Sequence, residues 1–514
     1  MPSARARFRR LGVACLLLAV LACGPADPPA PESEPPPNVV FIMSDTHRWG
    51  AMSMTQTPAV STPNLERLAQ QGVSLSRYYV NHPLCTPYRA MLMTGRWPYQ
   101  QGLIGNHMRL DERVDLPDGE RTRGTVSWAF KDAGYTTAHV GKWHLGGNDA
   151  RAFGFDRSIV WNGTNDHRRS DYSVDGAPTK EWTGLSNATA MTTQALEWIE
   201  SVRGEPFFLI LSLNPAHGPF DDAPEEYKAL YPDEAALPLH PLDELRSWET
   251  HRDYHALVSN LDAEVGRVLD ALDAFGIADE TVVVYTSDHG AMSGVNGVAY
   301  GQKRHPNDES TRVPFIVRGP GVPAGLELDM LASSIDLFPT LAGLADISGR
   351  PQDVGTDAAA ASLGYLESLP GADLSSLLRG APGVAAPTSI FLMHPTNMNN
   401  RFSRHEPIWR AVVTDDYTYA VTAEGEYALW DRAESYQVTN LLSDPEHAPR
   451  RMPLWNELDT WMDRAERPFI DHWFAEAPSR EVAAWNVEYG FGEHGDDRHV
   501  GRDAVFDLAA SEPR

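Results

Sequence analysis

NVVFIMSD, residues 38–45, is a short run of apolar and β-branched residues that ends in Ser-Asp. An apolar run of this length is typical of a strand that is buried on both faces, as in a parallel sheet. The same pattern returns in TVVVYTSDHG, residues 281–290. In such sheets, ligands bind beyond the carboxyl ends of the strands. Asp45 and Asp288, with His289 directly after it, are therefore the first candidates for a functional site.

Helical and strand-like patterns alternate along the chain between and around these two runs. The segment STPNLERLAQQG predicts a helix, because Thr62 is a candidate N-cap, Pro63 fits the first helical position and Gly72 can end the helix. Further strands are predicted for TTAHVGK, PFFLILS and RVPFIVR, and further helices for GTVSWAFKDAG, ATAMTTQALEWIESV and YHALVSNLDAEVGRVLDALDAFG. This alternation predicts an α/β fold with a mainly parallel central sheet flanked by helices.

The pattern changes in the last quarter of the chain. WRAVVTDDYTYAVTAEGEYALWDR predicts antiparallel strands with turns near residues 415–416 and 424–425, and PLWNELDTWMDRA predicts a helix. We therefore expect a main α/β domain over residues 38–385 and a smaller C-terminal antiparallel β subdomain over residues 386–475. Residues 476–514 are polar and are expected to form an irregular tail.

The N-terminus has the composition of an export signal. Four arginines precede the apolar run LGVACLLLAVLA, which is too short to span a bilayer. Residues 1–22 resemble a bacterial lipoprotein signal, so that Cys23 would become the lipidated first residue; the alternative is an ordinary cleaved signal. Residues 23–37 read as a stiff Pro-rich linker. We expect an exported protein in the periplasm or at the cell surface, anchored to a bacterial membrane through Cys23.

The charge restricts the class of partner. The formal net charge is −27, or −31 without the four arginines of the leader. Such an acidic chain argues against nucleic acid or an anionic membrane face as a partner. An anionic substrate would need a local positive site, and a bound metal with a few buried cations could supply it.

Cys85 is the one cysteine outside the N-terminal 23 residues. An exported protein usually has paired cysteines or none, so this thiol is either incidental or kept for its chemistry. Pro87 can begin a helix that continues to Gly95, which places the thiol at a helix N-terminus, where negative charge is favoured. The carboxylates of Asp45 and Asp288 suit a hard cation such as Ca²⁺.

The stretch CTPYRAMLMTG, residues 85–95, is similar to the signature of the type I sulfatases of the alkaline-phosphatase-like superfamily. That signature is Cys-x-Pro-x-Arg followed by Thr-Gly, and this sequence matches it in full. Further motifs of the family follow in the family's order, in GKWHLG, NPAHGPF, SDHG and GQKRHPNDESTRVPFIVRGPG. They supply the following residues: Lys142, His144, His217, Asp288, His289 and Lys303.

The resemblance implies a sulfuric ester hydrolase in which a maturation enzyme oxidises Cys85 to formylglycine. It implies a metal site at Asp45, Thr46, Cys85, Asp288 and His289. It also implies catalytic roles for the following residues: Cys85, Arg89, Lys142, His144, His217 and Lys303. In this mechanism a hydroxyl of the hydrated aldehyde attacks sulfur with Asp288 as base. Either His217 or Lys303 then protonates the departing alcohol.

The sequence departs from the family pattern at one position. After the first aspartate the family usually has a second Asp, or Gln, and this chain has Thr46. A threonine hydroxyl or the backbone carbonyl is a weaker ligand, so a water is expected to complete the site. The neighbouring His47 is a less favoured contributor, with a surface or supporting role as the alternative.

Two other functions remain open at this stage. A phosphonate or phosphate ester hydrolase could use the same scaffold, and a non-catalytic surface lipoprotein could have kept the fold. The substrate is expected to be a carbohydrate, aryl or alkyl sulfate. Five residues are candidates for lining the substrate pocket, although a structural role is favoured for each: His82, Asn106, His107, His305 and His394.

Overall fold

A computed structural model describes residues 35–106, 108–110, 124–161, 165–168, 172–178, 186–347, 364–382, 385–395, 408–422, 425–434 and 436–466. The predicted leader with Cys23, almost all of the Pro-rich linker, His107 and the predicted tail lie outside these residues. None of the helices in the described part has the length and apolarity needed to cross a membrane.

The described strands form a ten-stranded sheet and a four-stranded sheet. They are β1 Asn38–Ser44, β2 Val73–Tyr79, β3 Thr136–Lys142, β4 Arg157–Trp161, β5 Tyr172–Val174, β6 Ala177–Pro178, β7 Phe207–Ser212, β8 Thr281–Ser287, β9 Phe315–Arg318, β10 Leu326–Ser333, β11 Ser389–His394, β12 Trp409–Thr414, β13 Tyr417–Thr422 and β14 Gly425–Asp431. The large sheet has the order β10-β2-β9-β8-β1-β7-β3-β4-β5-β6, and the small sheet the order β11-β12-β13-β14.

The described α-helices pack on both faces of the large sheet, and the last of them packs against the small sheet. They are α1 Pro63–Gln70, α2 Cys85–Thr94, α3 Pro98–Gln101, α4 Val126–Asp132, α5 Asn187–Val202, α6 Glu225–Lys228, α7 Trp248–Phe275, α8 Asp308–Thr311, α9 Leu337–Leu344, α10 Ser375–Leu378 and α11 Ala448–Ala465. Side chains on one face of the large sheet pack against α1, α5 and α7. Those on the other face pack against α2, α4 and α9.

The core of the large sheet is parallel, because β1 pairs in parallel with both β7 and β8, and β3 with both β7 and β4. The small sheet is antiparallel throughout. The predicted fold class is therefore confirmed. The predicted domain boundaries near residues 385 and 475 stay predictions. The two sheets are joined through Asn81, whose side chain donates to the carbonyl of Phe391 in β11 at 2.6 Å.

Several strands differ from the expectation. The predicted strand β9 runs antiparallel to both of its neighbours, β2 and β8. Six of the described strands were not predicted: β2, β4, β5, β6, β10 and β11. In VSLSRYY, the sequence of β2, polar and apolar residues are mixed, so the segment lacks the continuous apolar run that revealed β1 and β8.

Helix α1 begins at Pro63 with Thr62 at the N-cap position, as predicted, but the contacts at its ends differ from the expectation. The side chain of Thr62 does not cap the helix; its hydroxyl oxygen instead accepts a hydrogen bond from the backbone N–H of Ser53 at 2.8 Å. Asp262 of α7 caps the helix, since it accepts from the N–H of Leu65 at 2.8 Å. Gly72 follows the helix, and a Cβ there would lie 2.1 Å from the carbonyl oxygen of Val317, so the close approach of β9 explains this glycine.

Candidate active site

The ends of two central strands bring the first two candidate residues together. Ser44 of β1 pairs with Ser287 of β8, so Asp45 and Asp288 emerge side by side at one edge of the sheet. Both side chains are fully buried. Each offers one oxygen to a four-residue group with the Cys85 sulfur and a His289 nitrogen, in which all ligand atoms lie within 4.8 Å of one another. Four potential ligands this close can hold a single metal ion.

Cys85 lies at the N-terminus of helix α2, as expected, although the helix begins at Cys85 and not at Pro87. Leu84 occupies the N-cap position and has no side chain that can cap the helix. Asn106 takes this role from the neighbouring loop, because its Oδ1 accepts from the N–H of Thr86 at 3.0 Å. The helix ends at Gly95, which has the left-handed φ of 61° common at helix C-termini. The nucleophile candidate is thus fixed at a capped helix N-terminus.

The thiol of Cys85 lies among cations. Its Sγ is 3.2 Å from His289 Nε2 and 3.3 Å from Lys303 Nζ. Burial and the charge of Asp45 act to raise the pKa of the thiol, but Lys303, His289 and Lys142 outweigh them, so this pKa lies well below its usual value. Position 85 therefore favours negative charge strongly.

Arg89 connects both carboxylates to the neighbouring strands. Its Nη2 donates to Asp288 Oδ2 at 2.9 Å and to Asp45 Oδ2 at 3.3 Å. Its Nη1 donates to the carbonyl oxygen of Lys142 at 2.8 Å and to Ser212 Oγ at 2.7 Å. Because this buried guanidinium contacts four acceptors, it sets the position of the two acids relative to β3 and β7.

The two carboxylates differ in proton affinity. Burial raises the pKa of Asp288 to about 6, helped by the charge of Asp45 and opposed by His289 and Arg89. Burial also acts to raise the pKa of Asp45, but the nearby cations outweigh it, Lys142 foremost, and this pKa lies well below its usual value. Asp45 is therefore firmly ionised, whereas Asp288 takes up a proton more readily.

Lys142 and His144 follow one another across the end of β3. Lys142 Nζ donates to Asp45 Oδ2 at 2.5 Å. Burial would lower the pKa of Lys142, but Asp45 raises it above its usual value. The His144 side chain hydrogen-bonds to the Cys85 thiol, and burial lowers the pKa of this histidine. Thr86 Oγ1 donates to the carbonyl oxygen of His144 at 3.0 Å and so fixes this loop against α2.

His217 lies on the loop after β7. Burial and the charge of Lys303 lower the pKa of His217 to about 3. Its Nδ1 is 2.5 Å from the carbonyl oxygen of Gly218. Since a carbonyl only accepts, Nδ1 carries the proton of the neutral ring and Nε2 is an acceptor. His167 Nε2 donates to the backbone carbonyl of His217 at 2.6 Å and holds the loop from the other side.

Thr46 contacts both acids. Its hydroxyl donates to Asp45 Oδ1 at 2.7 Å and its N–H to Asp288 Oδ1 at 3.2 Å. Its carbonyl oxygen accepts from the hydroxyl of Tyr254 at 3.1 Å. Of the two ligand atoms considered for this residue, the carbonyl is thus engaged by α7 and the hydroxyl contacts a carboxylate.

His47 has the supporting role that the sequence analysis favoured over a ligand role. Its Nδ1 is 2.6 Å from the hydroxyl of Tyr285, and its Nε2 is 3.0 Å from the carbonyl of Ala51. Both ring nitrogens therefore have partners outside the acid pair, and burial lowers the pKa of His47 to about 4. This side chain anchors the turn after β1 and does not approach the four-residue group as a ligand.

The five pocket candidates have different surroundings. Asn106 caps α2, as described. His82 Nε2 lies 3.3 Å from His394 Nδ1, and both rings are buried at the junction with the small sheet. His305 is partly exposed in the loop that follows Lys303. His107 lies outside the described residues.

Three residues of this site escaped the sequence analysis. Ser212 binds Arg89, Tyr254 binds the Thr46 carbonyl, and Asn165 Oδ1 accepts from Lys142 Nζ at 3.5 Å. Ser212 is the last residue of β7, so its place at a strand end was a usable signal. No pattern in the sequence points to Tyr254 on α7.

This arrangement defines a class of protein. A buried group of acids, cations and a thiol lies at the carboxyl edge of a mainly parallel sheet, as the resemblance to the alkaline-phosphatase-like hydrolases implies. A family model described as Sulfatase matches residues 37–347, more than half of the chain. The protein is therefore a member of the sulfatase family and a sulfuric ester hydrolase.

Named relatives agree with this assignment. The chain is 31% identical over 473 residues to an ulvan-active sulfatase of Formosa agariphila, covering 89% of this chain and 86% of that protein. A solved structure of a putative sulfatase from Bacteroides fragilis has a TM-score of 0.70 and 25% identity, covering 86% of this chain and 98% of that one. A phosphonate monoester hydrolase from Silicibacter pomeroyi has a TM-score of 0.64 and 21% identity, covering 84% and 96%, and shares the fold.

Proposed function

We propose that this sulfatase cleaves the sulfate monoester of a saccharide with a formylglycine made from Cys85 and a calcium ion held by Asp45, Asp288 and His289. The observation that carries the proposal is the buried group of four, in which a single cysteine lies at the N-terminus of α2 beside two strand-end acids. The partner that this requires is a formylglycine-generating maturation enzyme.

The four potential ligand atoms fit calcium on one condition, which concerns the atom that position 85 offers. Calcium takes oxygen ligands, which Asp45 and Asp288 offer, and a thiolate sulfur is a poor ligand for so hard a cation. Calcium therefore suits the group best if position 85 presents oxygen instead of sulfur, which leaves the His289 nitrogen as the one donor of the four that is not oxygen. When present, the aldehyde supplies, as its hydrate, a nucleophilic hydroxyl, and the ion supplies positive charge to the sulfate oxygens.

The chain's own residues then divide the remaining tasks. Arg89, Lys142 and Lys303 hold the negative charge of the sulfate, and Asp288, with its raised pKa, is suited to take the proton of the nucleophile. Neutral His217 presents an acceptor nitrogen, whereas Lys303 Nζ is a donor and donates to the Cys85 sulfur at 3.3 Å. We therefore assign protonation of the leaving alcohol to Lys303 and orientation of the substrate to His217 and His144.

The saccharide part of the proposal draws on the relatives. The ulvan-active sulfatase of Formosa agariphila, by its name, acts on a polysaccharide, and we propose a sulfated polysaccharide or an oligosaccharide derived from one. Export with a lipid anchor at Cys23 would place the enzyme where such substrates are met. The proposal of export and of a lipid anchor rests on the composition of residues 1–37.

The second candidate function is hydrolysis of a phosphonate or phosphate ester. The fold shared with a phosphonate monoester hydrolase favours keeping it as the alternative. The two substrates differ in the central atom and in the number of ester groups, so kcat/KM for 4-nitrophenyl sulfate against bis-4-nitrophenyl phosphate separates them. A higher kcat/KM for the phosphate diester would reject the sulfatase proposal.

The test of the nucleophile is mass spectrometry of the tryptic peptide of residues 78–89, from protein purified from its native host. An aldehyde at position 85 is the expected result. An unmodified thiol, with complete peptide coverage, would overturn the formylglycine proposal. Cys85→Ala is the matched control for activity, since it removes the precursor and leaves the rest of α2 in place; we expect no turnover of the sulfate ester.

A further inference from the structure

Position 46 combines a departure from the family pattern with an unusual backbone. Thr46 has a φ of 70°, in the left-handed region that β-branched residues rarely adopt and that Asn and Asp tolerate better. Such strain persists when the surroundings hold it. Here the hydroxyl of Tyr254 donates a hydrogen bond to the Thr46 carbonyl oxygen at 3.1 Å and accepts one from the N–H of Arg48 at 3.2 Å.

These bonds limit what Thr46 can offer a cation. The carbonyl oxygen is engaged by Tyr254, and the hydroxyl donates to Asp45 Oδ1. The residue is neutral, so the negative charge of the site comes from Asp45 and Asp288. A carboxylate at position 46 would have added a third.

The balance of charge around this site is positive. Two cations, Arg89 and Lys142, contact one or both acids, and a third, Lys303, contacts Cys85. With a neutral formylglycine at position 85, the two acids and three cations leave a surplus of one positive charge before any ion binds, whereas an unconverted thiolate would cancel it. That surplus exists in a chain whose formal net charge is −27.

We propose that the neutral Thr46 limits the cation site to two charged oxygen ligands, Asp45 and Asp288, so that the ion is held loosely and more of its charge remains for the substrate's sulfate group. This inference rests on the cation of the proposed function. The affinity of an oxygen site for calcium rises with the number of charged ligands. The same added charge would repel a sulfate held a few ångströms away. Metal affinity and anion affinity are therefore in opposition at this position.

The test uses two substitutions at position 46 in the full-length, converted protein. Thr46→Asp adds a third carboxylate to the site. Thr46→Asn is the matched control, because Asn tolerates the left-handed backbone as Asp does but brings no charge. Calcium binding and then sulfate binding to the calcium-loaded protein are measured by isothermal titration calorimetry, so that the result does not depend on turnover.

For Thr46→Asp we expect calcium to bind about ten-fold more tightly and inorganic sulfate about ten-fold more weakly than in the wild type. For Thr46→Asn we expect both constants to stay within about three-fold. The inference is overturned if Thr46→Asp leaves both constants unchanged, or if Thr46→Asn matches Thr46→Asp, since strain and not charge would then govern binding. If the wild type binds no calcium, the cation of the proposed function fails as well, which distinguishes the two failures.

Discussion

At the scale of single residues, Arg89 shows how one buried charge can organise a whole site. Its guanidinium contacts both strand-end acids and two groups on β3 and β7. A buried ion pair adds little net stability but becomes costly when one partner is removed. The planar fork of arginine also reaches acceptors on several sides, which the single ammonium of lysine cannot do.

We therefore expect Arg89→Lys to lower kcat/KM for 4-nitrophenyl sulfate by at least about 100-fold, since a buried pair that is broken costs several kcal/mol. The measurement is steady-state kinetics, with circular dichroism to verify folding. Arg96→Lys is the matched control, because Arg96 binds Ser368 outside the site. Retention of more than about a third of the activity in Arg89→Lys would contradict this role.

The residue scale also shows where reading the sequence reaches its limit. Cys85, Arg89, Lys142 and Lys303 are each predictable because they occupy fixed positions in motifs, and the structure brings all four together. The bonds of Thr46 are not predictable. They depend on Tyr254, which lies more than two hundred positions away on α7 and enters the site through the tertiary fold.

At the scale of elements, the N-terminus of α2 depends on a cap from outside the helix. Leu84 has no capping atom, and Asn106 supplies the acceptor for the N–H of Thr86. Loss of such a cap costs about 1 kcal/mol. We expect Asn106→Ala to reduce the free energy of unfolding by about this amount in guanidinium titrations, and Asn106→Asp, which keeps an acceptor, to lose less. Equal losses in both variants would show that the cap does not matter.

Strands β3 and β7 approach each other closely beneath Arg89. At Gly141 of β3, which has a φ of 107°, an added Cβ would lie 1.9 Å from the carbonyl oxygen of Ser212. Gly141→Ala must therefore push apart the strands that present Lys142 and Ser212 to Arg89. We expect a drop in thermal stability of several degrees and loss of most activity.

Gly204→Ala is the control for Gly141→Ala. An added Cβ at Gly204 meets nothing within 4 Å, so its melting temperature should stay close to that of the wild type. Differential scanning calorimetry on both variants makes the comparison. A Gly141→Ala protein as stable as Gly204→Ala would mean that β3 and β7 can separate without cost.

The predicted strands were correct where both faces of the strand are buried. β1 and β8 are central strands whose every residue is buried, so their apolar runs were visible in the sequence. β10 begins with alternating exposure, in the pattern of a strand at the rim of the sheet, and gave no such signal. The direction of β9 was not predictable either, because an apolar run specifies burial and not orientation.

At the scale of the whole molecule, burial of histidines makes the fold sensitive to acid. His139 of β3 is buried against Trp143 and Phe155, and burial lowers the pKa of His139 to about 3. Burial likewise lowers the pKa of His82 to about 3 and of His47 to about 4. In the unfolded chain these rings titrate near the ordinary value of about 6.5.

The sign of the effect follows from proton linkage. A histidine whose pKa is depressed by folding contributes stability above its unfolded pKa, and this is lost as the pH falls towards the folded value. Three buried acids act in the opposite direction, because burial raises the pKa of Asp262, Asp288 and Asp336 to about 6. Their protonation favours the folded state as the pH falls from about 6 to 4, and offsets part of the loss.

We expect the free energy of unfolding to be lower at pH 5.0 than at pH 7.5, with about 2 kcal/mol of the loss due to each deeply buried histidine. His139→Leu has a similar volume and no proton to take up, so its loss between the two pH values should be smaller by about that amount. Guanidinium denaturation of both proteins at each pH measures the difference.

The control is His447→Gln, at a partly exposed histidine outside the core, which should lose as much free energy of unfolding between the two pH values as the wild type does. An identical loss in His139→Leu and the wild type would mean that His139 takes up a proton as easily in the folded protein as in the unfolded chain.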